Sequence, residues 1–250
     1  MVLGFPGTTN HYVTSYGLTE VMDVTNKLRH EIRTVKINIL REEMAASQAT
    51  RIKYASKYAS CSNYWKYSSE QNKALRHLGT MNIKRDIESQ YRQWARNKAP
   101  KYADALPMIE EACLEMRPYN EARMYLIEGL LDGAELPFQA YQMGLLMTRI
   151  AEEKDAEARV PLMAALRSEA DQFYKDYNEE TDRRLMAAMF EHVYNNMNHT
   201  YCPDIIIKAW KKYARLSPGR GQVGYALLTR APVAIEGSKL PSCCPSTCMC

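Results

Sequence analysis

The sequence predicts a mainly α-helical fold with a short β remnant at its front. Three observations carry this. Apolar residues recur at threes and fours over long stretches, Gly79 and Pro100 stand where such stretches end, and strand-like alternation is confined to residues 1–17. With 250 residues, 46% apolar and 25% charged, the chain has an ordinary globular composition and enough length to bury a sizeable core.

The elements follow in order. Gly4-Phe5-Pro6-Gly7-Thr8-Thr9 reads as a turn, and Tyr12-Val13-Thr14-Ser15-Tyr16-Gly17 as a short strand. From Thr19 the period changes: Val21, Val24, Leu28, Ile32, Val35, Ile39 and Met44 mark a first long helix. Ala49 to Leu78 continues as helix, with Gly79 as its left-handed stop. Asn82 to Lys98 makes a third helix, ended by Pro100. Tyr102 to Leu131 makes a fourth, with kinks expected at Pro107 and Pro118. A fifth spans about Leu136 to Glu153. A sixth runs from Leu162 to about Asn198, with a break expected near Asn178. Beyond about Trp210 neither period persists. Ser217-Pro-Gly-Arg-Gly, Ala231-Pro and Leu240-Pro-Ser-Cys-Cys-Pro read as an irregular tail.

Charge and motifs exclude several functions. From Lys211 onward there are six Lys/Arg and one Asp/Glu, whereas the preceding residues hold 27 Lys/Arg against 28 Asp/Glu. The net +4 therefore belongs to the tail, and the main body has no electrostatic footprint for nucleic acid. No apolar run approaches the roughly 20 residues of a membrane span. The N-terminal residues show no basic and apolar pattern of a signal peptide. Gly219-Arg-Gly221-Gln-Val-Gly224 matches the dinucleotide fingerprint as a string. It lacks the preceding strand and the acid about 20 residues on, and reads as a loop. Cys243, Cys244, Cys248 and Cys250 have no zinc-ribbon spacing and no nearby His, and Cys61, Cys113 and Cys202 stand alone, so no metal and no cofactor are expected. No His-Glu-x-x-His or Gly-x-Ser-x-Gly motif occurs, His30 and His77 read as solvated, and Glu110-Glu111, Glu152-Glu153 and Glu179-Glu180 as solvated faces.

The stretch Tyr54-Ala-Ser-Lys-Tyr-Ala-Ser-Cys-Ser-Asn-Tyr-Trp-Lys66 is unusual for a helix. At about 100° per residue Tyr54, Tyr58, Cys61 and Trp65 share one face, Ala55, Ala59 and Ser62 a second, and Ser56, Ser60 and Asn63 lie opposite the aromatics. Small and aromatic residues on so many sides predict a helix packed on several sides with a polar group held inside, and Asn63 is read as lying at a helix end. An Asn there offers an acceptor to an ammonium and a donor to a carbonyl. From the residues alone the simpler account is an amide satisfied by neighbouring backbone.

Two blocks resemble a known family. Gly4-Phe5-Pro6-Gly7-Thr8-Thr9-Asn10 with Tyr12, Thr14, Ser15 and Tyr16, and then Arg51 to Lys66 with its Ser62-Asn63-Tyr64-Trp65 core, resemble the bacterial serine-type dipeptidyl aminopeptidases of the dipeptidyl-peptidase 7 and 11 kind. Phe173-Tyr-Lys-Asp-Tyr-Asn178 and Ala187-Ala-Met189 are similar to that family too, and the likeness spans roughly residues 2–210. His11 and Cys61 depart from it, standing where Arg and Ser are expected.

The resemblance implies a helical cap domain inserted in a chymotrypsin-like double β-barrel peptidase. Residues 1–18 are then a barrel remnant, 19–210 the cap, and 211–250 a tail that is disordered or translated out of frame. The family's catalytic His and Asp precede the Gly-Phe-Pro-Gly block and its nucleophilic Ser follows the cap. The expectation is an internal fragment with no catalytic residue in this chain, inactive alone. Asn63 takes the place of the Asn that helps bind the substrate's α-ammonium. The implied partners are peptides with a free N-terminus, and the implied parent enzyme is a homodimer of the periplasm or cell surface. The second reading, from a different class, is a stand-alone helical module that binds peptide or protein without catalysis.

Overall fold

A computed structural model describes residues 12–213. The Gly4–Thr9 turn and His11, the Gly219–Gly224 string and the four terminal cysteines lie outside the described residues.

The described residues contain helices and no strand. The expected strand over Tyr12–Gly17 is replaced by α1, Ser15–Thr19. Thr14 is the reason: its hydroxyl accepts the Gly17 N–H at 3.2 Å, a capping bond that outweighs the β-propensity of its neighbours. Glu88 fixes the same point, accepting the Ser15 N–H at 2.5 Å and the Ser15 hydroxyl at 2.7 Å.

From α1 the chain passes through a π-helical segment, Glu20–Thr25, into α2, Asn26–Ala46. Ser47 alone separates α2 from α3, Gln48–His77, and its hydroxyl caps α3 at the Thr50 N–H. One residue leaves room only for a reversal, so α2 and α3 pack antiparallel. The pairing is visible at both ends: Asn26 donates to Asn72 at 2.8 Å, and Arg41 reaches Tyr58. Gly79 ends α3 as expected, with φ of +61°, and α4 runs Thr80–Lys98 up to Pro100.

α5, Ala105–Met124, and a second π-helical segment, Tyr125–Leu131, form one rod. Both prolines at which kinks are expected lie inside it. Pro107 falls in the first turn of α5, where its missing N–H costs nothing, and the helix continues through Pro118 to the π-segment. Then come α6, Glu135–Glu152, α7, Ala156–Asp176, α8, Glu179–Asn196, and α9, Asp204–Tyr213. The expected break near Asn178 is the cap of α8, its side chain accepting from the N–H groups of Glu180 and Thr181. α7 starts before Leu162 and carries Pro161 within it.

α2 is the central element. One end of it, with Val24 of the preceding π-helical segment, joins Leu28 and Ile32 to Tyr125, Met189 and Val193 in a first core cluster. The other end joins Ile39 and Leu40 to Tyr54, Ala134 and Leu185 in a second. α6 and α7 contain no buried residue and pack mainly on each other as a hairpin. Ile83, Ile87 and Trp94 on α4, and Phe138, Tyr141 and Leu145 on α6, are exposed large apolar residues.

Candidate functional site

α3 packs against α2 through its aromatic side, and its small-residue faces are open. Tyr54 and Cys61 are 1% and 3% exposed against α2, and Trp65 is half-buried there. Ala55, Ala59, Ser56, Ser60 and Asn63 are exposed. The small residues thus leave a face open rather than fill a tight contact, and Asn63 lies in mid-helix, not near an end. Its amide has no hydrogen-bond partner among the described residues. Both the expected burial and the expected local satisfaction of that amide are corrected by this placement.

The buried side of α3 is firmly held. Trp65 donates from its indole N–H to the Thr34 hydroxyl at 2.8 Å and stacks on His30, with ring centroids 4.8 Å apart. His30 also bonds the Trp65 carbonyl through Nδ1, so it is a packing residue and not a solvated one. Tyr64 lies beneath the Arg33 guanidinium at 5.1 Å.

Two of the stretches that resemble the family, Arg51–Lys66 and Phe173–Asn178, meet in space. The α7–α8 elbow presents three successive carbonyls to one turn of α3. Lys57 donates to the Asp176 carbonyl at 3.0 Å, Lys53 to that of Tyr177 at 3.0 Å, and the Tyr54 hydroxyl to that of Asn178 at 3.4 Å. The Asn178 amide donates back to the Thr50 hydroxyl at 3.2 Å. Lys57 also pairs with Glu135 at 2.5 Å and lies over the Tyr54 ring at 4.4 Å, which joins α3 to the start of α6. The same start is capped from α8. Asp182, fully buried, accepts the N–H groups of Glu135 at 2.5 Å and Leu136 at 3.0 Å, and the Tyr177 hydroxyl at 3.3 Å. Burial pushes the Asp182 carboxyl above its usual range despite those donors. Burial and the neighbouring Glu135 push the Tyr54 hydroxyl up, and burial with Asp182 does the same for Tyr177, so both stay neutral.

These ties frame a cleft of about 540 Å³. Ser56, Lys57, Ser60 and Cys61 of α3 form one wall, Phe138 and Gln139 of α6 with Phe173 of α7 another, and Arg33, Lys36 and Asp132 the end between them. Arg29 and Arg33 hold Glu128, each at 2.8 Å. Lys36 donates to the Asp132 carbonyl at 2.5 Å. Burial lowers the Lys36 ammonium, raises the Asp132 carboxyl with help from Glu128, and raises the Cys61 thiol, which is therefore protonated and no nucleophile. Ser56, Ser60 and Asn63 follow at i, i+4 and i+7, so Asn63 continues the cleft's α3 rim.

The charged residues of this cleft were not singled out from the sequence. Their signal was present in α2, where Arg29, Arg33 and Lys36 recur at helical spacing beside the Leu28–Ile32–Val35 stripe. Asp182 gave none, because a buried cap carries no pattern of its own. A second cleft of about 420 Å³, lined by Asp23, Glu31 and Glu121 among others, adjoins the first core cluster and is not lined by Asn63 or by any other residue of α3.

Among the described residues, His30 Nδ1 and His199 Nε2 contact backbone carbonyls and His192 Nδ1 the Asn196 amide, and no His ring nitrogen meets a Ser or Thr hydroxyl. Among the described residues no group of three or more His, Cys, Asp or Glu is placed to hold a metal ion, and no helix is long and apolar enough to cross a membrane.

Residues 1–214 match the family model described as Peptidase S46. Dipeptidyl-peptidase 7 of Porphyromonas gingivalis is 37% identical over 207 residues, which cover 82% of this chain and 28% of that protein. The Asp/Glu-specific dipeptidyl-peptidase of Flavobacterium psychrophilum is 28% identical over 190 residues, 74% of this chain and 26% of that protein. Among solved structures, Porphyromonas endodontalis DPP11 in complex with the dipeptide Arg-Glu superposes with a TM-score of 0.72 at 26% identity, covering 90% of this chain and 32% of that one. The chain thus spans about a quarter of the length of the curated relatives it matches.

Proposed function

Because the chain belongs to the peptidase S46 family, we propose that it is the helical, substrate-facing part of a serine-type dipeptidyl peptidase, a hydrolase that removes dipeptides from the free N-terminus of peptides. Asn63 receives the substrate's α-ammonium. The observation that carries this reading is the exposed, unengaged Asn63 amide on a helix otherwise clamped from α2 and from the α7–α8 elbow.

The physics of such a site is selective. An amide oxygen held on a rigid helix accepts from an ammonium, and a peptide extended or acylated at its N-terminus brings bulk and loses donors at that point. The Trp65–Thr34 and His30–Trp65 contacts fix the rotation of α3, and the Lys53, Tyr54 and Lys57 contacts fix its position. The chain supplies recognition and no nucleophile. Its parent enzyme works as a homodimer in the periplasm or at the cell surface, on peptides and without a cofactor.

Two measurements on the pure 250-residue chain test this. A chromogenic dipeptidyl substrate should be left intact, and dipeptide release would overturn the division of labour. Amide chemical shifts recorded during titration with the dipeptide Arg-Glu should change along Ser56–Tyr64. Changes confined to α4 or α9 would overturn the assignment of the site.

A further inference from the structure

The cleft beside the first core cluster is negative, and the fold does not answer its charge. Asp23 lines it from the Glu20–Thr25 segment, Glu31 from α2 and Glu121 from α5, with Lys27 between the first two. Three carboxylates against one ammonium leave two negative charges in excess. None of the four groups has an ion-pair or hydrogen-bond partner among the described residues. Arg117, whose charge reaches Asp23 and Glu121, is itself paired with Glu20 at 2.6 Å. The 18-residue α8 ends here, at Asn196 and Met197, and its last carbonyls add to the negative potential.

A buried polar group points to a ligand in this space. Tyr125 lines the cleft and is only 8% exposed, yet its hydroxyl has no hydrogen-bond partner among the described residues. Burial, and then the nearby Glu31 and Glu121 carboxylates, keep that hydroxyl protonated, and its oxygen is free to accept.

The spacing says what kind of cation fits. Among the described residues the carboxylates are not grouped closely enough to hold one metal ion. Asp23 and Glu31 stand about 12 Å apart along the helix axis, and Glu121 comes from another helix. Between the charges Leu28, Pro118 and Met197 supply apolar surface, and Tyr125 and Tyr201 aromatic surface. One exposed ion pair contributes little, so a single ammonium or guanidinium gains little here. Several ammonium groups joined by methylenes would meet the carboxylates and the apolar floor together.

We propose that this cleft binds a linear aliphatic polyamine, with its ammonium groups on Asp23, Glu31 and Glu121 and the Tyr125 hydroxyl accepting from one of them. The site shares no residue with the Asn63 face of α3 and does not depend on the reading of Asn63. A ligand there ties α2 and α5 to the end of α8.

Calorimetric titration of the 250-residue chain at pH 7 and low salt tests it, with spermidine, n-butylamine and magnesium chloride as probes. Spermidine should bind about tenfold more tightly than either of the others. Glu31→Gln and Glu121→Gln, both at exposed positions, and Tyr125→Phe should each weaken spermidine about threefold. Lys27→Met should strengthen it, and Asn63→Ala should leave it unchanged. Spermidine should also raise the melting temperature of the wild type and not that of the Glu31→Gln/Glu121→Gln double variant. If magnesium binds as tightly as spermidine, or if Glu152→Gln on α6 weakens spermidine as much as Glu31→Gln does, the effect is general screening of an acidic surface and the proposal is overturned. Unchanged spermidine affinity in the double variant overturns it as well.

Discussion

Asp182→Ala removes three hydrogen bonds at a point where nothing else replaces them. The carboxylate is 0% exposed and accepts the N–H groups of Glu135 and Leu136, the first donors of α6, together with the Tyr177 hydroxyl. Each buried backbone donor left unpaired costs about 1–3 kcal/mol, so the pair costs about 2–6 kcal/mol. Relief of the carboxylate's own desolvation returns a part, which leaves a net loss of about 3 kcal/mol. Asp182→Asn keeps one acceptor oxygen and turns an N–H donor toward the other backbone N–H, for a loss of about 1–2 kcal/mol. Urea unfolding of the three proteins at pH 7 measures both numbers, and hydrogen exchange locates them, with the Glu135 and Leu136 amides losing protection first. The pH dependence has a fixed sign. Because burial raises the folded-state value of Asp182 above 3.8, wild-type stability relative to Asp182→Asn should fall as pH rises from 3.8 through that raised value. An Asp182→Ala loss below 1 kcal/mol, with the α6 amides still protected, would refute the view that this carboxylate holds the cleft's far wall.

Other substitutions separate the remaining contacts. Gly133→Ala should destabilise by about 3 kcal/mol in the same unfolding assay, because its Cβ would lie 1.9 Å from the Gly129 carbonyl oxygen and 2.8 Å from the Met189 side chain; Gly144→Ala, with nothing within 4 Å, should gain about 0.5–1 kcal/mol. Leu185→Ala should cost about 2–5 kcal/mol, since Leu185 is 0% exposed in the cluster that holds Tyr54. Asp132→Asn should raise the melting temperature at pH 7, and the gain should vanish below pH 3.8, where the unfolded carboxyl is protonated as well.

The helical architecture was legible because its signals are local. The threes-and-fours period of α2, Gly79 at the left-handed stop of α3, and Asn178 as a helix break each depend on a few neighbouring residues. The strand expected over Tyr12–Gly17 failed for the same reason in reverse. A single Thr14 capping bond and the distant Glu88 decided that segment against its β-prone composition. For α3 the residue pattern was read correctly and its meaning was not, because small residues suit a crowded contact and an open face equally well. Only tertiary structure shows Ser56, Ser60 and Asn63 facing outward. The charged cleft was hidden for a further reason. Lys36, Glu128, Asp132, Glu135 and Asp182 come from four segments, and the ion pairs and caps that join them have no fixed sequence spacing.

The claim that α3 recognises a peptide's free N-terminus through Asn63 is tested most directly by one affinity ratio. Arg-Glu with a free α-amine and its N-acetylated form are titrated against the 250-residue chain and against Asn63→Ala. Loss of a hydrogen bond to a charged group is worth about 1.5–3 kcal/mol, so the free form should bind the wild type about 10- to 100-fold more tightly than the acetylated one, and Asn63→Ala should abolish that ratio. Equal affinities for the two forms in the wild type, or an undiminished ratio in Asn63→Ala, would contradict it.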